Sequence, residues 1–329
     1  PPPSGRGAQY LNDDGIPDPT PPVHTWVTAR MLHVYSLGHL AGIPGCTALA
    51  EAALEGLVGP LLDDTHGEWF ASAGPGSQRD ETKAVSALAF VVFGTSSATS
   101  ASLSGAAALL TEALDPRWRD RAARITDTLL DWSAANEWRV PEHFDAWGTP
   151  FRSTTRDQPN HPFEPFGATD GRGLECSRLL LHVDAASGSS LAPGHRVEGA
   201  AALFHRAVTD GWAVDGADGY VYTTDWFGKP VVRQRLHWVV AEAISTAAAL
   251  ATTTGEPGYE QWYRTWWDYA ARYLVTADGS WHHELDPSNR PVATMWPGRP
   301  DLYQSIHAAT LPRLPLSHGA DDDRQRLLQ

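Results

Sequence analysis

Residues 237–281 read HWVVAEAISTAAALATTTGEPGYEQWYRTWWDYAARYLVTADGSW. The stretch holds two helical patterns, His237–Ala251 and Tyr259–Val275, and closes on an Asp278-Gly279 turn followed by Trp281. Its apolar residues recur at three- and four-residue spacing, the period of a helix, and an Asp-Gly pair is a turn signal. The unit is a pair of helices ending in an aromatic-topped loop.

Outward from there the unit recurs. His24–Leu40 puts Trp26, Val27, Met31, Val34 and Leu37 on one face, and Thr47–Leu57 follows, stopping near Gly59-Pro60. Glu81–Ala98 is apolar nearly all round, the pattern of a buried inner helix. Ser104–Trp132 reads as one long helix or two short ones; Asp170–Val183, Glu198–Val208 and Tyr303–Thr310 complete the series. Strand-like material is confined to short pieces such as Tyr220-Val221-Tyr222. Asp14-Gly15, His66-Gly67 and Asp218-Gly219 mark further loops, and Phe144-Asp145-Ala146-Trp147 a fifth.

A helix–loop–helix unit repeating at about 50–75 residues predicts hairpins stacked around an axis. The expected fold is an all-α (α/α) toroid. It is read as a single domain over residues 1–329, with 1–20 and 318–329 as loosely ordered ends. A six-hairpin ring needs one loop more than these five. The interval 67–145 holds either a misplaced loop or the place where about one hairpin is missing.

Composition excludes several function classes. The 25 Lys and Arg against 39 Asp and Glu leave a net charge of −14, with no basic block, so phosphate backbones and anionic membranes are poor partners. Cys46 and Cys176 make no disulfide framework and no CxxC pair. No apolar run reaches the roughly 18 residues of a membrane helix, and the Pro-rich start shows no signal peptide. The expectation is a soluble, cytoplasmic protein whose partner is a small polar molecule.

Several long motifs stand in order along the chain. They are Trp26-Val-Thr-Ala-Arg-Met31, Phe163-Glu-Pro-Phe-Gly-Ala-Thr-Asp-Gly-Arg-Gly-Leu-Glu-Cys-Ser-Arg-Leu-Leu-Leu-His182, Gly211-Trp-Ala-Val-Asp-Gly216 with Tyr222-Thr-Thr-Asp-Trp226, Gly279-Ser-Trp-His-His-Glu-Leu-Asp286 and Trp296-Pro-Gly-Arg-Pro-Asp-Leu-Tyr303. Together they resemble the N-acylglucosamine 2-epimerase superfamily and, within it, the bacterial mannose isomerase branch. The resemblance runs over nearly the whole chain. It implies aldose–ketose isomerisation or epimerisation at C2 through an enediol, without cofactor or metal. Two histidines carry the proton transfer, a task suited to a group that titrates near working pH. An Arg, aromatic rings and carboxylates hold the open-chain sugar.

Carried over residue by residue, the match is uneven. Arg30 stands at the family's early pocket Arg, and Glu175 at the Glu of its Gly-His-x-x-Glu-Trp motif. The His of that motif is Arg172 here and its Trp is Cys176; the second catalytic His, after Asp-Leu-Tyr, is Gln304. An inner-helix Tyr and His are Ser86 and Leu88. The family's Asn-Met-His segment has no counterpart: Ala113-Leu114 runs straight into Asp115-Pro-Arg-Trp-Arg-Asp120, which agrees with a missing hairpin. Arg does not act as a base near pH 7, and Gln does not titrate.

Other groups therefore have to be weighed. Glu175 reads as a general base, or as a carboxylate paired with Arg172 or Arg178 on its own helix. His237, opening its helix, points at a pocket or packs. His282-His283-Glu284 has the look of a metal cluster, but neighbours in extended chain face opposite ways, which favours a structural role. Asp225 and Asp301 contact a sugar or cap turns, with Asp301 placed as an N-cap. Trp296 is a candidate stacking surface, and Cys176 is read as an inert replacement of a Trp. Three functions stay open: an isomerase using substitute groups, an inactive sugar- or partner-binding relative, and an enzyme repurposed to another substrate. A fourth reading is a gene product that has lost one repeat.

Overall fold

Glycine and proline punctuate the helices where the sequence places them. In a computed structural model, residues 6–66, 68–75, 78–83, 85–100, 116–140, 168–187, 194–313 and 316 are described. They contain helices α1 (Thr25–Leu40), α2 (Cys46–Val58), α3 (Val85–Ser100), α4 (Pro116–Ala135), α5 (Asp170–Ser187), α6 (His195–Gly211), α7 (His237–Thr254), α8 (Pro257–Tyr269) and α9 (Tyr303–Thr310). Helix α7 ends on Gly255, whose φ of 72° is the left-handed stop a glycine accommodates. Pro257 then occupies the first turn of α8, where its missing N–H is no loss. The expected helix Tyr259–Val275 is thus α8 continued by a π-helical turn, Ala270–Leu274. Of the expected helix Ser104–Trp132, only the part from Pro116 falls among the described residues. The Phe144–Trp147 loop, Gly67, the 318–329 end and the Phe163–Gly167 start of the longest motif lie outside them.

Strands are two or three residues long and serve as loop ties. The Tyr220–Tyr222 stretch departs from expectation: pairing begins at Thr223–Thr224, while Tyr220 makes a single bridge to Trp212. Residues Tyr10–Leu11 and Pro17–Asp18, assigned from sequence to a loose end, pair as a hairpin.

Four hairpin tips share one geometry. The backbone N–H of Asn12, Asp225, Thr276 and Asp286 donates to the carbonyl four residues on. The residue three places along has positive φ in each case: Gly15, Gly228, Gly279 and Asn289. Glycine and asparagine are the residues that adopt this conformation with least strain.

The chain divides into two compact units. The first takes residues up to 118 with 298–306, and here α1 packs on both α2 and α3. Its core is Leu32, Leu54, Leu57, Leu61 and Val91, with a second cluster of Val27, Met31, Val34 and Tyr303. A Cβ at Gly94 would lie 2.4 Å from the Ala29 carbonyl oxygen, so glycine is what lets α1 and α3 approach. Helix α3 was expected to be buried all round; Val92 and Phe93 are instead exposed.

The second unit takes 119–297 with 307–317. Helix α5 packs on α6 and α7, and α7 on α8. Helix α7 is apolar on nearly every face, and Val239, Val240, Ile244 and Leu250 are fully buried. Much of the tryptophan content is core: Trp262 stacks on Trp266 at 5.0 Å, and Trp212 sits edge-on to both.

Candidate active site

In the second unit the N-termini of α5 and α7 lie side by side. A Cβ at Gly171 would meet the Trp238 ring at 2.5 Å, so the first turn of α5 rests directly on the indole. Arg172 projects from that turn with its guanidinium 5.3 Å from the Trp238 ring centroid. Its Nη1 donates to Glu175 Oε2 at 2.7 Å. Of the two arginines that sequence offered to Glu175, Arg172 takes it. Arg178 turns to α7, giving Nε to Glu242 Oε2 at 2.9 Å and Nη2 to Glu242 Oε1 at 3.1 Å.

His237 begins α7 and is 4% exposed. Its Nδ1 lies 3.2 Å from the backbone oxygen of His283. A carbonyl oxygen only accepts, so Nδ1 carries the proton in this contact and, in the neutral ring, Nε2 holds the lone pair. The rings of His237 and His283 meet edge-on at 5.0 Å, and His283 stacks on Trp296 at 5.9 Å with an interplanar angle of 22°. Glu284, the next residue, is fully buried. Its carboxylate accepts the backbone N–H groups of Thr294, Met295 and Trp296 and the Thr294 hydroxyl.

Asp170, two residues before Arg172, is a buried carboxyl whose Oδ2 has no hydrogen-bond partner. Burial, then the nearby Asp210 charge, pushes it well above the usual carboxylate range, against the pull of Arg139. Arg139 itself donates to Asp210 Oδ2 at 2.7 Å. A Cβ at Gly211 would come within 2.7 Å of Asp170 Oδ2, so this corner is packed without space to spare.

The remaining candidates have other surroundings. The Asp225 carboxylate accepts the backbone N–H groups of Phe227 and Lys229, both at 2.9 Å, and so ties its own turn. Cys176 is half-buried against the core of the second unit. In the first unit, Arg30 lies among the rings of Trp26, Phe90 and Tyr303 at 4.7, 4.4 and 4.6 Å. It also pairs with Asp301 Oδ2 at 3.5 Å, while Asp301 Oδ1 accepts the Tyr303 N–H at the start of α9. Gln304 follows on that helix and is 5% exposed, its Oε1 without a hydrogen-bond partner. Ser86 and Leu88 are on α3, with side chains outside the described residues.

Structure thus brings Arg172, Glu175 and Trp238 into one group and His237, His283 and Trp296 into a second, both at the start of α7. It leaves Asp225 in a turn. Sequence reasoning missed Glu242 and, though it read Glu284 as structural within His282-His283-Glu284, missed its partners. A signal existed for the first, since a lone carboxylate in an otherwise apolar helix needs a buried partner. For Glu284 there was none, because its partners are backbone groups ten to twelve residues away.

Comparison with known proteins adds to this geometry. The family model described as N-acylglucosamine 2-epimerase (GlcNAc 2-epimerase) matches residues 7–117 and 112–308. The two pieces overlap at residues 112–117, where Ala113-Leu114 runs into Asp115. A D-mannose isomerase of Thermobifida fusca is 40% identical over 366 residues, covering 95% of this chain and 89% of the relative. That alignment is longer than the 329-residue chain, so the relative carries residues with no counterpart here. A D-mannose isomerase of Pseudomonas cannabina pv. alisalensis is 37% identical, covering 89% and 84%. A crystal structure of D-mannose isomerase superposes with TM-score 0.79 at 19% identity over 92% of this chain and 90% of that one. The cellobiose 2-epimerase of Spirochaeta thermophila gives 0.71 at 18% over 98% and 90%. At those identities the likeness is one of fold, and it is the (α/α) toroid expected from sequence. No helix among the described residues is long and apolar enough to cross a membrane.

Proposed function

We propose that this chain, which belongs to the N-acylglucosamine 2-epimerase family, interconverts a mannose-type aldose and its ketose, with His237 as the proton-transfer base. The observation that carries the reading is the contact of His237 Nδ1 with the His283 carbonyl oxygen, which assigns the lone pair to Nε2. In the reaction Nε2 takes the C2 proton of the open-chain aldose. The C–H electron pair forms a C1–C2 double bond, and the carbonyl oxygen at C1 gains a proton to give the enediol. Return of a proton to C1, with loss of the O2 proton, gives the ketose. The relatives' name, D-mannose isomerase, supports the choice of sugar.

In the same reading Arg172 and Glu175 bind sugar hydroxyls as a fixed pair, and Trp296 offers an apolar ring face. Arg30 and Asp301 are substrate-binding proposals on the first unit. Chemistry is assigned to side chains alone, with no cofactor. A cytoplasmic location goes with it, supported by the lack of a disulfide framework in a sequence with two cysteines.

A second reading is favoured by one observation. Arg172, where the family has a histidine, already holds Glu175 at 2.7 Å. A site so paired binds a sugar without turning it over.

The deciding experiment is proton NMR of the folded protein with mannose, and separately fructose, in D₂O. Deuterium at C2 of mannose or C1 of fructose supports the isomerase. A sugar-dependent rise in thermal midpoint with no deuterium incorporation replaces it with the binding protein.

A further inference from the structure

The Glu284 carboxylate is fully buried, and its oxygens are met by a loop rather than by a cation. Oε2 accepts the backbone N–H groups of Thr294 at 3.1 Å, Met295 at 2.8 Å and Trp296 at 3.4 Å. Oε1 accepts the Thr294 hydroxyl. Successive N–H groups converging on one carboxylate form a charge-assisted nest. If the loop left, the charge would be buried and unpaired, a state strongly disfavoured in a protein interior.

The loop's last residue is Trp296, whose indole lies on the His283 ring at 5.9 Å and 22°. His283 immediately precedes Glu284, which opens the short strand Glu284–Leu285. Glu284 therefore ties both members of that stack, Trp296 through its N–H and His283 through the chain. The His283 ring in turn meets His237 edge-on at 5.0 Å, and its carbonyl faces His237 Nδ1.

We propose that Glu284 is a positioning residue: through the Thr294–Trp296 cradle it sets the Trp296–His283–His237 stack and, with it, the direction of the His237 lone pair. The catalytic consequence rests on the reading of His237 as the base; the geometric one does not. Displacement of a reacting group by about 1 Å is enough to lower a rate on the order of 10²-fold.

Two substitutions separate the cradle from mere bulk. Glu284→Gln puts an amide oxygen where Oε2 accepts the three N–H groups, and its NH₂ faces the Thr294 hydroxyl, which can accept. Glu284→Ala removes every acceptor. The first readout is the shift of the His283 ring protons, held upfield by the stacked indole and independent of turnover; Trp296→Ala supplies the unstacked value. Glu284→Ala is expected to move these shifts to the unstacked value, and Glu284→Gln to keep them. A folded Glu284→Ala protein with unmoved His283 shifts overturns the proposal, as does Glu284→Gln moving them as far as Ala. Should Glu284→Ala fail to fold, Thr294→Val removes one arm and must move the shifts the same way; unmoved shifts there overturn it too. The second readout is deuterium exchange into mannose, expected to fall about 10²-fold in Glu284→Ala. A wild-type protein without exchange removes the His237 reading, and the ring shifts still decide the cradle.

Discussion

Arg178 and Glu242, 64 residues apart in sequence, are joined by two hydrogen bonds of 2.9 and 3.1 Å, and both side chains are buried. The pair bridges α5 and α7, the two helices whose N-termini carry Arg172 and His237. Removing one member takes both of these hydrogen bonds from a buried charge. Arg178→Ala or Glu242→Ala is expected to lower stability by roughly 3–5 kcal/mol, whereas an apolar double replacement by Met and Leu is expected to be neutral or stabilising. Urea unfolding of the three variants checks this. A loss in the double variant equal to the sum of the two single losses would show that the pair does not act as a unit.

Restoring a titratable group at the start of α5 should act in the other direction. Arg172→His frees Glu175 from its 2.7 Å partner and places an imidazole where the family has one. Deuterium incorporation into mannose is expected to rise about 10²-fold or more, the usual contribution of a positioned acid–base group. An unchanged rate in a folded, sugar-binding variant would argue that position 172 does not face the reacting carbon.

His237→Asn tests the base while sparing the contact. The Asn amide can still donate to the His283 carbonyl oxygen, which His237 Nδ1 now meets at 3.2 Å. The thermal midpoint should stay within a few degrees of wild type, and exchange should fall by about 10²–10⁴. Exchange that survives at the wild-type rate moves the base elsewhere.

Asp170 gives a pH dependence of definite sign. Burial and Asp210 raise its carboxyl well above the usual range in the folded protein. Unfolding releases a proton between the unfolded and folded values, so the contribution of Asp170 is complete below the unfolded value. It is lost as pH rises through the folded one. Asp170→Asn removes that titration. Relative to wild type, its stability should improve as pH rises from the usual carboxylate range toward the raised folded value. Parallel stability curves for the two proteins over that range would sink the assignment.

Helix positions were legible because their causes are local. The α7–α8 junction follows from Gly255 and Pro257, and the repeated turns from Gly or Asn at the one position needing positive φ. The α3 expectation failed in part because an apolar pattern says that a face can be buried, not that anything covers it; Val92 and Phe93 are exposed. Site residues were legible as a set of names carried by family motifs, but not as an arrangement.

By itself, the sequence determined the all-α class, the toroid of hairpins, the family, and the presence of Arg at 172 and Gln at 304. Periodicity, turn chemistry and ordered motifs are written in neighbouring residues, and residue identity excludes a titrating group without any coordinates. Only tertiary structure decided the pairings: Glu175 with Arg172, Arg178 with Glu242, His237 Nδ1 with the His283 carbonyl, and Glu284 with three backbone N–H groups. Hydrogen bonds and ion pairs depend on distances of a few ångströms between elements far apart in the chain. Several partners of similar chemistry compete for each group, so packing alone selects among them.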